Sequence, residues 1–225
     1  MGQQINIPTN RTRCIGGYLA KPAGKPKGGI VVVQEIFGVT AHIRSVADRF
    51  AAAGYTAIAP AFFDHLEAWL ELDYDDVGVA RGKSLVTELG LDRPLEDVAS
   101  AAQSIASSGK IGVVGYCWGG TVALLCAQRL GLPAVSYYGA RNLGFLGQVP
   151  KAPVMFHFGE LDPSIPPEAV ARHREALPQM EVFSYPGAGH AFNRDVPGDK
   201  HYHEASARLA WQRTLDFFDK QLAGV

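Results

Sequence analysis

The chain contains the stretch Ile111-Gly112-Val113-Val114-Gly115-Tyr116-Cys117-Trp118-Gly119, followed by the apolar segment Thr121-Val122-Ala123-Leu124-Leu125. The first part predicts a buried strand and the second a helix, so Cys117 lies at a strand-to-helix turn. Glycines on either side allow the close backbone approach of a nucleophile elbow, here with cysteine where serine is usual. A helix N-terminus favours the thiolate over the thiol. The alternative is a buried structural cysteine that happens to lie between glycines.

Two later stretches supply an acid and a histidine in the chain order that such an elbow requires. An apolar run at 152–158 precedes Asp162, so this carboxylate is predicted to follow a strand. A second strand, predicted at 181–186, leads into the turn Gly187-Ala188-Gly189-His190. We therefore predict that Cys117, Asp162 and His190 form a nucleophile, acid and histidine triad.

The remaining histidines and cysteines do not suggest a second catalytic or metal site. His157 lies within an apolar strand, which favours a hydrogen-bonded core residue, and Cys126 is predicted to be a core residue of the helix after the elbow. His201 and His203 are predicted to lie at a solvated helix end, with no third metal ligand nearby. The other candidates rejected for the triad are His42, His65 and His173.

Composition favours one globular domain over residues 1–225. The chain has 47% hydrophobic residues and 21 basic against 22 acidic side chains, a formal net charge of −1. This balance gives no basic surface for nucleic acid or an anionic membrane, so a small molecule is the predicted partner. No signal peptide, membrane span, metal motif or cofactor motif is recognised, which predicts a cytoplasmic protein without cofactor. The oligomeric state is left open.

The chain alternates strand-like and helix-like segments, which predicts an α/β fold with a mostly parallel sheet and helices on both faces. Strands are predicted at 29–34, 55–60, 111–114, 133–138, 152–158 and 181–186. Helices are predicted at 41–53, 75–89, 95–107, 167–177 and 203–222.

The segment 140–151 is too short to build a cap domain over a site. Short loops at 35–40, 62–82, 138–145 and 190–197 are therefore predicted to form the substrate pocket, with Phe37 and Tyr138 among its lining residues. A pocket of this kind favours a small substrate.

The loop Gln34-Glu35-Ile36-Phe37-Gly38-Val39, the cysteine elbow, Gly-Glu-Leu-Asp-Pro and Gly-Ala-Gly-His-Ala-Phe occur in that order. Over residues 28–220 this chain resembles the dienelactone hydrolase family, α/β-hydrolases without a cap that use a cysteine nucleophile. The resemblance implies the same triad, with an oxyanion hole made by the backbone N–H groups of Ile36 and Trp118. It also implies that Glu35 contacts the thiol and governs its ionisation. An exposed loop carboxylate is the alternative for Glu35.

The resemblance further implies that Arg81 and Arg194 bind a carboxylate of the substrate, for which a guanidinium is well suited. The match around Arg81 is weaker, because Leu85 and Glu88 stand where the family pattern has aromatic residues. Ala191 also stands where a serine is expected after the histidine. The alternative for both arginines is an ion pair within the protein.

The predicted function is hydrolysis of a small lactone or activated enol ester, carboxylate-bearing like a dienelactone, through a cysteinyl acyl-enzyme. A carboxylesterase or thioesterase of broader specificity could use the same residues. A non-catalytic binding protein that keeps the fold is the third hypothesis, disfavoured by the intact triad.

Overall fold

A computed structural model describes residues 2–10 and 14–223 of the chain. The chain forms two compact units, residues 1–113 with 222–225 and residues 114–221. The organisation of residues 1–225 as a single domain stays a prediction.

Among the described residues of the first unit, four strands and three helices precede the elbow strand. They are β1 (Gln3–Ile7), β2 (Ile15–Ala20), β3 (Gly29–Val33), α1 (Ala41–Ala52), β4 (Thr56–Pro60), α2 (Asp76–Leu89) and α3 (Asp92–Ser104). The strand order is β1-β2-β4-β3. β3 and β4 are parallel, whereas β1 and β2 are antiparallel to their neighbours.

Every residue of β3 and β4 is buried, as expected for parallel strands that are covered on both faces. α1 buries Ile43, Val46 and Phe50, which recur at helical spacing. The helix begins where the Thr40 side chain accepts a hydrogen bond from the Ile43 backbone N–H. Apolar periodicity and capping therefore define this helix as predicted from its sequence.

The second unit begins within the elbow strand and continues to the last helix. Its elements are β5 (Ile111–Tyr116), α4 (Trp118–Leu125), β6 (Ala134–Tyr137), β7 (Val154–Gly159), α5 (Pro167–Ala176), β8 (Glu181–Tyr185) and α6 (Glu204–Leu222). The strand order is β5-β6-β7-β8, and the β6–β7 and β7–β8 pairs are parallel. Between β6 and β7 there is only one short 3₁₀ turn at Asn142–Phe145, so no cap domain is inserted there.

The structure confirms the predicted α/β fold and each predicted strand and helix to within a few residues. The prediction omitted β1 and β2. In β2 the segment Ile15-Gly-Gly-Tyr-Leu-Ala lacks regular alternation and carries two glycines, which weaken a strand signal. Its pairing with β4 instead depends on close packing: a Cβ added to Gly17 would lie 2.7 Å from Ile7 Cδ1 and 3.0 Å from Ala59 O.

Candidate active site

Cys117 occupies the turn between β5 and α4 with φ 56° and ψ −119°, in a region that L-residues rarely adopt. The turn is tight because a Cβ added to Gly115 would lie 1.8 Å from the carbonyl oxygen of Gly119. Only glycine is compatible with that approach. The backbone therefore has the strained geometry of a nucleophile elbow, as the sequence predicted.

Hydrogen bonds on both sides hold this turn in place. The Cys117 N–H donates to Tyr137 O at 3.0 Å, at the end of β6, and the Cys117 carbonyl accepts from the Gly120 N–H at 2.9 Å. A Cβ on Gly120 would lie 2.6 Å from Tyr137 O, so α4 packs directly against β6. The cysteine thus stands at the N-terminal end of a helix that packs directly against β6.

The acid and the histidine lie on the two turns that follow β7 and β8. The Asp162 carboxylate is buried, and its Oδ1 accepts a hydrogen bond from the Ser164 N–H at 2.8 Å. The two turns pack closely, since a Cβ on Gly159 would lie 2.4 Å from Ala188 O. This contact brings the loop that ends at His190 against the loop that carries Asp162.

Cys117, His190 and Asp162 form one continuous line of hydrogen-bonding atoms. His190 Nε2 lies 3.2 Å from Cys117 Sγ, and His190 Nδ1 lies 2.6 Å from Asp162 Oδ2. The Asp162 side chain is fully buried, while that of His190 is 27% exposed. The imidazole is therefore oriented by a buried acid and remains within reach of the sulfur and of solvent.

Electrostatics favour the charged form of His190. Burial disfavours the imidazolium, but the hydrogen bonds and negative charges of Asp162 and Cys117 outweigh burial and raise the pKa of His190 from 6.5 to about 10. The imidazole is consequently protonated near neutral pH. The charged imidazole is in direct contact with Sγ, so a proton donor lies beside the candidate nucleophile.

The aromatic ring of Tyr138 lies beside the imidazole of His190. The Tyr138 ring is buried, and its centroid lies 5.1 Å from that of His190 and 5.5 Å from that of Phe192. Tyr138 has φ 40°, a left-handed conformation at the end of β6. The structure thus brings the predicted lining residue Tyr138 next to His190.

The predicted oxyanion residue Trp118 is the first residue of α4 and is buried. The N–H groups of a first helical turn have no acceptor within the helix and point along its axis. The position of the Trp118 N–H is compatible with donation to an oxyanion, and this role stays a prediction.

Glu35, Ile36 and Phe37 share one buried loop of the first unit, directly after β3. α2 crosses this loop so closely that a Cβ on Gly82 would lie 2.1 Å from Ile36 O. Phe37 O accepts a hydrogen bond from the Leu72 N–H at 2.9 Å. The loop is therefore rigidly held, and Glu35 is a buried carboxylate rather than the exposed one of the alternative interpretation.

Both arginines that the resemblance assigned to substrate binding are paired with protein carboxylates. Arg81 Nη2 lies 3.1 Å from Glu67 Oε2, and both side chains are about half exposed. Arg194 Nε donates to Asp199 Oδ2, and both of these side chains are nearly buried. Recognition of a substrate carboxylate by either arginine stays a prediction.

Sequence reasoning missed two residues of the loop that follows His190. Asp199 was not recognised as the partner of Arg194, although an acid five residues after a candidate arginine was a usable signal. Asn193 is buried, and neither of its amide atoms has a hydrogen-bond partner among the described residues. Burying an amide without a hydrogen-bond partner costs about 1–3 kcal/mol. Nothing in the sequence singles out Asn193, since it is one polar residue of a polar loop.

His157 and Cys126 are core residues, as predicted. His157 Nδ1 accepts from the Tyr185 hydroxyl at 2.8 Å, and its Nε2 lies 3.2 Å from Thr214 Oγ1 on α6. Thr214 donates to Ala210 O, so its oxygen accepts from the imidazole N–H. Cys126 is completely buried, and burial strongly raises the pKa of its thiol.

Two classes of feature are not found in the described part of the chain. No group of three or more His, Cys, Asp or Glu side chains suited to a metal ion occurs in residues 2–10 and 14–223. Within the same residues, no helix has both the length and the apolar character needed to cross a membrane.

A strand, cysteine turn and helix, followed by an acid and a histidine at the ends of later strands, is the arrangement of the α/β-hydrolases. The chain belongs to the dienelactone hydrolase family, because a sequence model of that family matches residues 15–222. It is therefore a hydrolase acting on ester bonds rather than a non-catalytic binding protein.

Individual relatives agree with this assignment. The chain is 32% identical to the carboxymethylenebutenolidase of Pseudomonas putida over 224 residues, which cover 95% of this chain and 94% of the relative. A crystal structure assigned to the dienelactone hydrolases, from Klebsiella pneumoniae, matches with a TM-score of 0.84 and 31% identity over 97% of this chain and 98% of that chain. An esterase of Pyrococcus furiosus matches with a TM-score of 0.66 and 15% identity over 99% and 94% of the two chains, and so supports the fold alone.

Proposed function

We propose that this enzyme hydrolyses a small lactone or activated ester with an enol leaving group, through an acyl group on Cys117. The observation that carries the proposal is the line of contacts from Cys117 Sγ to His190 at 3.2 Å and from His190 to Asp162 at 2.6 Å. A nucleophile and a base within hydrogen-bond reach, with the base oriented by a third group, is the arrangement of covalent catalysis.

The first half-reaction forms the thioester. The Cys117 thiolate attacks the ester carbonyl carbon, and the carbonyl electron pair moves to the oxygen to give a tetrahedral oxyanion. Collapse of this intermediate breaks the bond to the leaving oxygen, which departs as an enolate. The enolate takes the imidazolium proton of His190, so the imidazole becomes neutral.

The second half-reaction releases the acid. Acylation removes the negative charge of Sγ, one of the influences that raise the pKa of His190, so the imidazole is now suited to act as a base. It takes a proton from water as the water oxygen attacks the thioester carbonyl. The thiolate then leaves, and the imidazolium and thiolate of the starting enzyme are restored.

The leaving group is inferred from the nucleophile. The tetrahedral intermediate carries both the Cys117 sulfur and the ester oxygen as possible leaving groups. It expels more readily the one that leaves as the less basic anion. An alkoxide is far more basic than a thiolate, so attack on an alkyl ester mostly reverses. An enolate leaves readily, and cysteine therefore suits an enol ester or enol lactone better than an alkyl ester.

Three further roles belong to this proposal by family resemblance. The N–H groups of Ile36 and Trp118 would donate to the oxyanion, which is stabilised by donors fixed before the reaction begins. Glu35 would govern the ionisation of the thiol. The close packing of the Ile36 loop against Gly82 supports the role of the Ile36 N–H in the oxyanion hole, because a preorganised donor has to stay in place.

The test compares acetate esters that differ only in their leaving group. We expect vinyl acetate, an enol ester, to be hydrolysed much faster than ethyl acetate, with an acetyl group on Cys117 detected by mass spectrometry after rapid quenching. Equal rates for both esters would instead favour the carboxylesterase of broader specificity. Turnover without any acetyl group on Cys117 would contradict the covalent mechanism.

A further inference from the structure

A cleft opens on the first unit at the carboxyl ends of two parallel strands. Gln34 follows β3 and Ala61 follows β4, and both line the cleft together with Gly17 and Tyr18 of β2. The cleft has a volume of about 400 Å³, including the part that is open to solvent. Small-molecule sites in open α/β sheets lie beyond the carboxyl ends of strands and have volumes of about 300–1,000 Å³. The residues that line this cleft include no member of the triad and none of the residues assigned above to substrate binding.

Trp69 lines the cleft and is held against β2. A Cβ added to Gly16 would lie 3.1 Å from Trp69 Cη2, so the indole packs on the strand backbone. The Asp64 carboxylate joins the two segments, because Oδ1 accepts from the Trp69 N–H at 2.8 Å and Oδ2 accepts from the Gly16 N–H at 2.7 Å. Trp69 has φ 59°, which is unfavourable for a bulky residue, and it is nevertheless 56% exposed. The fold thus keeps a strained aromatic residue at the cleft without burying it, as ligand sites often do.

The loop between β4 and α2, which carries Trp69, is fixed at several points. The Ala61 N–H donates to Gly16 O at 2.9 Å, where the loop leaves β4. Further along, a Cβ on Gly38 would lie 2.2 Å from Leu70 O, so the loop packs tightly against the segment after β3. These contacts define the shape of the cleft before any ligand arrives, and a preformed cleft loses little entropy on binding.

Charges of both signs line the cleft, and each has a partner within the protein. Arg44 Nη1 donates to Val39 O and to Glu71 Oε1, and both Asp64 oxygens accept from backbone N–H groups. An anion in the cleft would meet the carboxylates of Asp64 and Glu71, and a cation would meet the guanidinium of Arg44. The cleft therefore favours an uncharged compound.

Gln34 gives the cleft a polar anchor. The residue is completely buried, and its Nε2 donates to Glu35 O at 3.2 Å. Its Oε1 is also buried and has no hydrogen-bond partner among the described residues. A buried acceptor without a donor has lost its hydrogen bonds to water and gained nothing in return. A ligand with an O–H or N–H group would supply the missing donor.

We propose that this cleft binds a small, uncharged aromatic compound that carries an O–H or N–H donor. The ring of the compound packs against Trp69 and the neighbouring rings of Tyr18 and Phe63, since aromatic side chains prefer aromatic partners. The donor forms a hydrogen bond to Gln34 Oε1. The inference does not depend on the proposed ester hydrolysis, because the cleft contains none of the residues used in that mechanism.

The test compares phenol with anisole, in which a methyl group replaces the hydroxyl hydrogen. Binding is followed in two-dimensional NMR spectra of the isotope-labelled protein, and the Trp69 indole signal is assigned by its loss in Trp69→Phe. We expect phenol to shift the signals of the Trp69 indole and of the Gln34 side-chain amide. Phenol should bind about fivefold or more tightly than anisole, the factor expected for one net hydrogen bond.

Variants assign this preference to Gln34. Gln34→Met keeps the length of the side chain but removes the acceptor, so phenol should bind no more than about twofold more tightly than anisole. Gln103→Met, at an exposed glutamine of α3, is the matched control and should keep the full preference. Trp69→Ala should weaken the binding of both compounds, because it removes a ring that both contact. If Gln34→Met does not fold, the comparison of phenol with anisole in the natural protein still decides the matter.

Three results would overturn the inference. Equal affinities of the natural protein for phenol and anisole would show that no donor is recognised. Shifts confined to signals of residues outside the cleft would place the bound phenol elsewhere. An absence of shifts at tens of millimolar phenol would mean that water, rather than a ligand, satisfies Gln34 Oε1.

Discussion

His190 Nε2 lies 3.2 Å from Cys117 Sγ, although 73 residues separate the two in the chain. The contact exists because the turns after β5 and β8 reach the same region of the second unit. It pairs an imidazole that is protonated near neutral pH with a sulfur at a helix N-terminus.

Cysteine replacement should separate the nucleophile Cys117 from the exposed thiol of Cys14. Cys117→Ala is expected to lower kcat for vinyl acetate by about a thousandfold or more while leaving the protein folded. Cys14→Ala removes an exposed thiol and should retain full activity. Cys117→Ser should also be poor, because a hydroxyl needs far stronger activation by His190 than a thiol does. Normal turnover by Cys117→Ala, measured beside a circular dichroism spectrum, would contradict the mechanism.

Asp162→Asn should lower the pKa of His190. Burial of the imidazole opposes its charge, and the Asp162 hydrogen bond and charge are among the influences that overcome burial. NMR titration of the His190 ring should show an imidazolium near neutral pH in the natural protein and a lower midpoint in the variant. The expected loss in kcat is about a thousandfold or more. Glu160→Gln, which alters an exposed carboxylate two residues away, should leave the midpoint unchanged.

His157 should make the protein sensitive to acid. Burial, with the charge of Arg213, lowers the pKa of His157 from 6.5 to about 3. Below about pH 6.5 the unfolded chain protonates His157, whereas the folded protein keeps it neutral. The contribution of neutral His157 to the free energy of unfolding is therefore complete above that pH. It is lost progressively as the pH falls toward 3, by about 1.4 kcal/mol per pH unit.

Urea unfolding at several pH values checks this expectation. His157→Gln should be less stable than the natural protein near neutral pH, because the hydrogen bonds to Tyr185 and Thr214 are altered. Its free energy of unfolding should nevertheless decrease less steeply with acid. Ser107→Ala, which alters an exposed side chain that does not titrate, should show the steep decrease of the natural protein. Equal slopes in all three proteins would show that His157 is not the group responsible.

Gly82→Ala should disturb the loop that contains Ile36. A Cβ at this position would lie 2.1 Å from the Ile36 carbonyl oxygen, so the peptide must shift or α2 must move. Overpacking of this kind costs about 1–3 kcal/mol, and displacement of a preorganised donor should lower kcat/KM by about tenfold or more. Gly24→Ala, where nothing lies within 4 Å of the added carbon, is the control. Unchanged kinetics in Gly82→Ala would show that this loop does not contribute to catalysis.

Much of the fold was predictable because its signals are local. β3, β4 and β7 are continuous apolar runs, since parallel strands are buried on both faces. The signals of the candidate site are local as well: glycines flank the elbow cysteine, and the acid and the histidine lie in turns that follow strands. β1 and β2 were not predicted, because the two glycines of β2 weaken its strand signal and because β2 pairs with β4, which is distant in sequence.

The sequence by itself predicted the alternation of strands and helices from β3 onward, the cysteine elbow, and Asp162 and His190 as the candidate acid and histidine. Only the tertiary structure decided the ionisation of His190, the burial of Glu35 and the pairing of Arg194 with Asp199. The physical reason is that secondary structure follows from periodicity and turn chemistry along the chain. The charge of a side chain depends instead on burial and on partners within a few ångströms, which packing brings together.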